Sequence, residues 1–190
     1  TDRLFTIGAS GATIDASGAS GVLAFSNSGT LATQSSGTTR TLSLIGSGAA
    51  SLASIVPNYL SNATSVTKTG TGTWTLSGAS TYTGVTTISG GTLSVSSLAN
   101  GGAASNIGQS DNSASNLVIN NGTLKYTGTD TTTDRLFTIG ASGATIDASG
   151  TSGVLAFSNS GTLATQSSGT TRTLNLIGSG AASLASIVPN

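Results

Sequence analysis

The sequence predicts an all-β fold in which short parallel strands coil into stacked rungs, a β-solenoid with the shape of an elongated rod. Short runs alternate apolar and small polar residues with the period of a strand, as at Leu93/Val95 and Leu124/Tyr126. Gly, Ser and Thr fill about half of the 190 positions and aromatic residues only 4%, which favours tight corners over the bulky facing layers of a sandwich. The chain also repeats itself, as folds that grow by adding like units do.

The repeat predicts the domain organisation. Residues 1–58 recur at 133–190 with 56 identities, and only Ala19 and Ser43 change, to Thr151 and Asn175. The period is therefore 132 residues. We expect residues 1–132 to form one complete solenoid unit and residues 133–190 to form a partial second copy that continues the first. With roughly 20 to 25 residues in each rung, one unit holds about five or six rungs.

The individual strands follow from the alternation, with Gly, Asn and Ser supplying the turns between them. One stretch, residues 49–62, also fits a helical turn. Pro57 and the β-branched pair Ile55-Val56 favour a strand followed by a bend there. The alternating pairs that mark the predicted strands, in chain order, are Phe5/Ile7, Leu23/Phe25, Leu42/Leu44, Trp74/Leu76, Thr86/Ile88, Leu93/Val95, Leu117/Ile119 and Leu124/Tyr126.

The composition disfavours several classes of function. Charged residues make up 6% of the chain, six Lys and Arg balance six Asp, and His, Cys and Met are absent. No basic cluster is present to bind nucleic acid or an anionic membrane surface. The start, Thr1-Asp2-Arg3, lacks the basic and apolar order of a signal peptide. We therefore expect an internal piece of a longer protein with little chemistry of its own.

One segment carries a family resemblance. Residues 68–95, KTGTGTWTLSGASTYTGVTTISGGTLSV, resemble the autotransporter-associated β-strand repeat found in the passenger regions of large bacterial surface proteins. Residues 103–147 are similar to the sequence that commonly follows this repeat. The resemblance implies a right-handed parallel β-helix at the bacterial cell surface or outside the cell. It also implies export through a C-terminal membrane barrel, a part that this sequence does not include.

The carboxylates are candidates for a catalytic site, because some β-helical proteins process polysaccharides. Such chemistry needs two carboxylates about 5 to 10 Å apart with differently tuned pKa values. The six Asp fall at repeated positions or in polar turns, so we interpret them as solvated turn residues or partners of Arg, and predict no catalytic residue. The two Asp-Arg dipeptides are interpreted as charged strand entrances. The residues concerned are Asp2, Arg3, Asp15, Asp111, Asp130, Asp134, Arg135 and Asp147.

Two lysines and three aromatic residues are candidates for the outer surface of the solenoid. We expect Lys68 and Lys125 to face water. Trp74 and Tyr126 have the inward phase of their strands and are predicted to fill the core. Tyr82 lies in a link between strands, and it is the one aromatic residue that we keep as a candidate surface contact.

No metal or cofactor site is predicted. The calcium-binding β-roll motif Gly-Gly-x-Gly-x-Asp is missing, and Gly46-Ser-Gly48 lacks the Lys of a phosphate loop. Thr-x-Thr runs at 71–75 and 127–131 are interpreted as a product of the Thr-rich composition, not as an ice-binding array.

These observations predict a structural and adhesive repeat segment of a long extracellular β-helical surface protein, acting as a stiff spacer or filament and as a contact surface. The expected partners are further copies of the repeat, with lateral or end-to-end self-association and contact with cell surfaces or glycans. A self-assembling extracellular fibre subunit and a β-helical polysaccharide-processing enzyme stay open as alternatives.

Overall fold

The computed structural model describes residues 1–18, 21–34, 39–150, 153–166 and 171–189, which form short strands and one 3-10 turn at Ala114–Asn116. Every pairing between two of these strands is parallel. The strands are β1 (Thr6–Ile7), β2 (Ala12–Asp15), β3 (Val22–Phe25), β4 (Ala32–Thr33), β5 (Arg40–Ile45), β6 (Ala49–Leu52), β7 (Thr64–Lys68), β8 (Thr73–Leu76), β9 (Thr86–Ile88), β10 (Thr92–Val95), β11 (Leu117–Ile119), β12 (Thr123–Tyr126), β13 (Thr131–Thr133), β14 (Thr138–Ile139), β15 (Ala144–Asp147), β16 (Val154–Phe157), β17 (Ala164–Thr165), β18 (Leu174–Ile177) and β19 (Ala181–Leu184).

The strands stack into three faces. Face 1 is a seven-stranded sheet in the order β2-β5-β7-β9-β11-β14-β17, and face 2 is a seven-stranded sheet in the order β3-β6-β8-β10-β12-β15-β18. Face 3 consists of β1-β4 and of β13-β16-β19. Its members β4, β13 and β16 each follow a face 2 strand and precede a face 1 strand. The chain thus visits the faces in turn, which confirms the predicted parallel β-helix.

The interior is a ladder of side chains one rung apart. Trp74 pairs in register with Leu93, and Leu93 pairs with Leu124. All three are fully buried, because alternate residues of a strand point to the same side. Tyr126 is 2% exposed and donates its hydroxyl to the Thr129 carbonyl at 2.9 Å. The inward phase predicted for Leu93, Leu124, Trp74 and Tyr126 is confirmed.

The rungs vary in length more than predicted. Trp74 to Leu93 spans 19 residues, whereas Leu93 to Leu124 spans 31. The difference arises because residues 96–116, which we call the lateral loop, extend from the second of these rungs between β10 and β11. Within residues 49–62, β6 followed by an irregular segment around Pro57 confirms the predicted strand and bend.

Glycine builds the corner between faces 1 and 2. Gly46, Gly70 and Gly90 follow successive face 1 strands and have positive φ angles of 114°, 76° and 140°. A Cβ atom on Gly70 would overlap the backbone of Gly46 one rung away. At Gly70 the corner therefore requires both the left-handed backbone and the absence of a side chain, whereas the corner between β11 and β12 has Asn121 with a φ of 57°.

The part of the chain that the structure describes contains no helix long and apolar enough to cross a membrane.

Candidate functional site

The lateral loop is the largest departure from the regular coil, and its own side chains hold its base. The Asn106 Oδ1 atom accepts the backbone N–H groups of Ser96 and Ser97 at 2.9 and 2.8 Å. The Asn106 amide donates to the Gly78 carbonyl of the adjacent rung at 3.0 Å. Ser105 donates its hydroxyl to the Gly108 carbonyl at 2.9 Å. These bonds fix the backbone where no sheet ladder is available to do so.

Arg135 is the residue that ties the lateral loop to the second copy of the unit. Its side chain is 2% exposed. The guanidinium donates to the Ala99 carbonyl at 2.9 Å, to the Ser110 hydroxyl at 3.1 Å and to the Gly108 carbonyl at 3.0 Å. Burial lowers the pKa of the Arg135 guanidinium, and this is opposed by the nearby Tyr82 and by the Asp134 and Asp111 carboxylates. A buried cation is tolerated here because its donors are matched by acceptors of the loop.

Asp134 also binds the lateral loop. Its Oδ1 atom accepts the Gly101 N–H at 2.7 Å and its Oδ2 atom accepts the Asn112 side-chain amide at 3.0 Å. The adjacent residues Asp134 and Arg135 thus both contact the lateral loop. The dipeptide, interpreted as a charged strand entrance, precedes β14 by two residues, and the 31-residue rung buries its Arg135.

Tyr82 packs under the lateral loop and hydrogen-bonds to it through its backbone. It is fully buried, and its hydroxyl shares a 2.7 Å hydrogen bond with that of Thr86. Its carbonyl accepts the Gln109 N–H at 2.7 Å, and burial raises the pKa of its phenol. The prediction of Tyr82 as a surface contact is wrong, since a segment more than 20 residues downstream covers it.

Lys68 is also buried, which overturns the prediction that it faces water. It is 0% exposed and lies in the same ladder as Leu44 and Ile88. Its ammonium group donates to the Thr69, Gly70 and Gly90 carbonyls at 2.8, 3.0 and 3.1 Å. Burial lowers its pKa. The signal that could have revealed this is its phase, two residues after the inward Val66.

The lysine and carboxylates on the outer surface serve turns and one ion pair. Lys125 lies 3.6 Å from Asp147 and is about one-third exposed. Burial opposes ionisation of Asp147, but hydrogen bonds from Ser149 and the charge of Lys125 more than compensate and lower its pKa. Asp147 is 9% exposed, so the prediction of a solvated turn residue is wrong at this position. Its partner is a Lys, not the expected Arg.

Asp111 stabilises its own turn, and Asp130 binds the backbone one rung away. Asp111 accepts the Ser113 N–H at 2.9 Å and the Asn116 amide at 2.6 Å, and these hydrogen bonds lower its pKa. Asp130 accepts the Val154 N–H at 2.7 Å. Within the described ranges, no group of three or more carboxylates is close enough to hold a metal ion. The expectation that the chain has no catalytic or metal-binding residue stays a prediction.

The outer surface of the lateral loop is polar and nearly uncharged. Its exposed residues are Ser96, Asn100, Gly102, Ala103, Asp111, Asn112, Ser113 and Ser115. A surface of this kind suits hydrogen bonding to neutral polar partners better than it suits proton transfer or electrostatic capture.

Comparison with known proteins bears on this geometry. The model of the passenger-associated-transport-repeat family matches residues 66–95, the segment that supplies β8, β9, β10 and most of β7. This chain carries a passenger-associated transport repeat. It is also 47% identical over 182 residues to the Adhesin BmaC autotransporter of Brucella suis biovar 1. That match covers 94% of this chain and 5% of the adhesin. No solved structure matches the chain significantly.

These matches confirm the predicted family. They also confirm the prediction of an extracellular structural repeat segment of a large autotransporter-type protein. The matches to a passenger-associated repeat and to an adhesin agree with a non-enzymatic role. The chain spans about one-twentieth of the adhesin that it matches.

Proposed function

We propose that this segment is a stiff spacer that lengthens a surface rod by a fixed increment for each unit. The observation that carries the proposal is the continuity of faces 1 and 2 across the repeat boundary. Ile119 of the first unit pairs with Ile139 of the second copy, and Leu124 pairs with Ile146. The junction is an ordinary parallel ladder over a buried apolar stack, so it gives the joint the stiffness of any other rung.

Small-angle X-ray scattering of chains that carry one, two and three copies of residues 1–132 ahead of the full chain tests this function. Each added unit of about five rungs lengthens the particle by roughly 25 Å at 4.8 Å per rung, at a constant cross-section. A cross-section that grows with unit number, or a length that does not, would overturn the spacer function.

We also propose that the lateral loop is an adhesive contact surface. Support comes from its outward polar residues, its rigid anchoring through Arg135 and Asn106, and a relative whose name is adhesin. Preorganised loops bind at a lower entropic cost than flexible ones. The binding is mechanical and involves no catalysis.

Beads coated with the full chain and applied to epithelial cells and to a glycan array test the contact. Ser115→Arg places a large charged side chain on the loop, and Ser61→Arg, also at an exposed position, is the matched control. Adhesion should fall with Ser115→Arg alone. Equal adhesion of both variants, or none by the parent chain, contradicts the role of this loop.

A further inference from the structure

The two copies of the repeated segment make the same contacts within themselves. Strand β1 pairs with β4 as β14 pairs with β17, and β2 pairs with β5 as β15 pairs with β18. The register is also the same, with Ala12 opposite Leu42 and Ala144 opposite Leu174. Each copy therefore folds as the same structural block.

The two blocks nevertheless occupy different faces. Strand β2 belongs to face 1, but its equivalent β15 belongs to face 2. Strand β3 belongs to face 2, and its equivalent β16 belongs to face 3. Along face 1, the strands from β2 to β14 mark five full turns, and β15 lies one face further on. One 132-residue unit thus advances by five turns and one face.

The blocks also differ in what covers them. In the second copy, β14, β15 and β16 stack on β11, β12 and β13. In the first copy, β1, β2 and β3 each have one strand neighbour, and no other described strand covers their second, open edge. Thr1 lies beside β3, where it hydrogen-bonds to Ala24 and Ser26. We call these open edges, together with the described residues between them, the stacking surface; it lies within residues 1–18 and 21–25.

The side chains of the stacking surface are less buried than their equivalents in the second copy. Arg135 is 2% exposed, whereas its equivalent Arg3 is exposed. Leu155 is fully buried, whereas its equivalent Leu23 is half-buried. The segment that buries the second copy is residues 96–132, through the Arg135 hydrogen bonds and the strand ladders already described.

We propose that the stacking surface is a docking site for residues 96–132 of a second copy of the unit, placed in tandem ahead of residue 1, with that copy rotated by one face. The near-identity of the two repeated segments identifies residues 96–132 as the occupant. The docking block matches, at 56 of 58 positions, the block that already binds this segment in the chain. In the docked state Arg3 binds the Ala99 and Gly108 carbonyls of the leading copy, and Thr13 lies opposite its Thr123.

The rotation has a consequence for the proposed adhesive surface. The inference rests on the proposed spacer function and specifies how spacer units are joined. Because each unit turns by one face, the lateral loops of successive units point to different sides of the rod. Three consecutive units present the loop in all three directions, so a contact surface is available whichever side of the rod meets its partner.

Disulfide trapping in a tandem chain, with residues 1–132 placed ahead of the full chain, tests the docking. The chain has no natural cysteine, so engineered pairs are unambiguous. Thr123→Cys in the leading unit is combined with Thr13→Cys or with Val22→Cys in the following unit. Directly paired strand positions lie within the Cα separation that a disulfide requires. Thr123→Cys with Thr145→Cys in the 190-residue chain is the positive control, since these residues are register partners.

We expect the Thr13 pair to oxidise at a rate within about threefold of the control, and the Val22 pair to stay at least about tenfold slower. Faster oxidation of the Val22 pair would mean stacking without rotation, and would overturn the inference. Slow oxidation of both pairs in a particle that scattering shows to be a lengthened rod would also overturn it, while the spacer function would stand. Rapid oxidation of the Thr13 pair without lengthening would instead contradict the spacer function.

Discussion

Arg3 and Arg135 occupy the same repeat position in different surroundings, so one substitution made at each provides its own control. Arg135→Met keeps most of the aliphatic stem but removes three hydrogen bonds of 2.9 to 3.1 Å to the lateral loop. The Gly108 carbonyl loses this donor at a buried position and the Ala99 carbonyl at a half-buried one. A hydrogen bond to a charged group contributes about 1.5 to 3 kcal/mol, and losing one partner of a buried set costs more than losing one bond.

We therefore expect Arg135→Met to destabilise the closed lateral loop by about 3 kcal/mol. That free energy corresponds to roughly a hundredfold faster hydrogen exchange of the loop amides. Suitable reporters are the Gly102 and Gln109 N–H groups, which donate to the Ser110 and Tyr82 carbonyls. Hydrogen-exchange mass spectrometry of the peptide spanning 97–112 measures the effect.

Arg3→Met should leave the 190-residue chain nearly unchanged, within about 0.5 kcal/mol, because its side chain is exposed. Amides of β8 serve as an internal reference that neither substitution reaches. Unchanged protection of residues 97–112 in Arg135→Met, or equal effects of the two substitutions, would refute the assignment of Arg135 as the residue that fastens the loop.

Three further outcomes are expected. Leu93→Asp places an unpaired charge in the core and should lower the unfolding free energy by several kcal/mol, whereas Thr92→Asp, on the outward phase, should have little effect; the reverse order in chemical denaturation would mean that the strand phase is wrong. Burial lowers the pKa of Lys68 in the folded chain below its ordinary 10.5, so between the folded and unfolded pKa values the unfolded chain binds more protons than the folded chain. The parent chain should therefore gain stability relative to Lys68→Met as pH rises towards 10.5. A stability difference that does not change with pH would contradict this expectation. The open edges of β3 and β18 should make the chain associate with increasing concentration, insensitively to salt, and a single monomer boundary in sedimentation velocity over a hundredfold concentration range would contradict it.

The fold could be predicted from local sequence because a solenoid repeats a local rule. Alternation of period two places Trp74, Leu93 and Leu124 inward, and each of these positions is buried. The same rule applied to Lys68 gives an inward position, yet its charge favoured an outward one. Its long stem crosses the apolar interior and its ammonium group reaches the corner carbonyls, an arrangement that depends on the geometry of two neighbouring rungs.

The lateral loop and its supports could not be predicted in the same way. Tyr82 is buried by Gly108 and Gln109, which are distant in sequence. The 31-residue rung that brings them together carries no alternation to mark its path. The polar side chains that hold it, such as Asn106, belong to residue types that the sequence uses everywhere in turns. Their role follows from which backbone groups lack a ladder partner, and that is a property of the folded coil.

The two copies separate what a sequence dictates from what its neighbours dictate. Near-identical residues give the same strand pairs and registers, since Ile14 pairs with Leu44 as Ile146 pairs with Leu176. Burial does not follow in the same way. Leu44 is fully buried beneath the next rung, whereas Leu176 is 57% exposed at the edge of the sheet. The local sequence therefore specifies the block, and stacking on another block supplies the burial that makes it stable. This division explains how such a chain can be extended by near-identical copies, because each copy presents the surface that the next one requires.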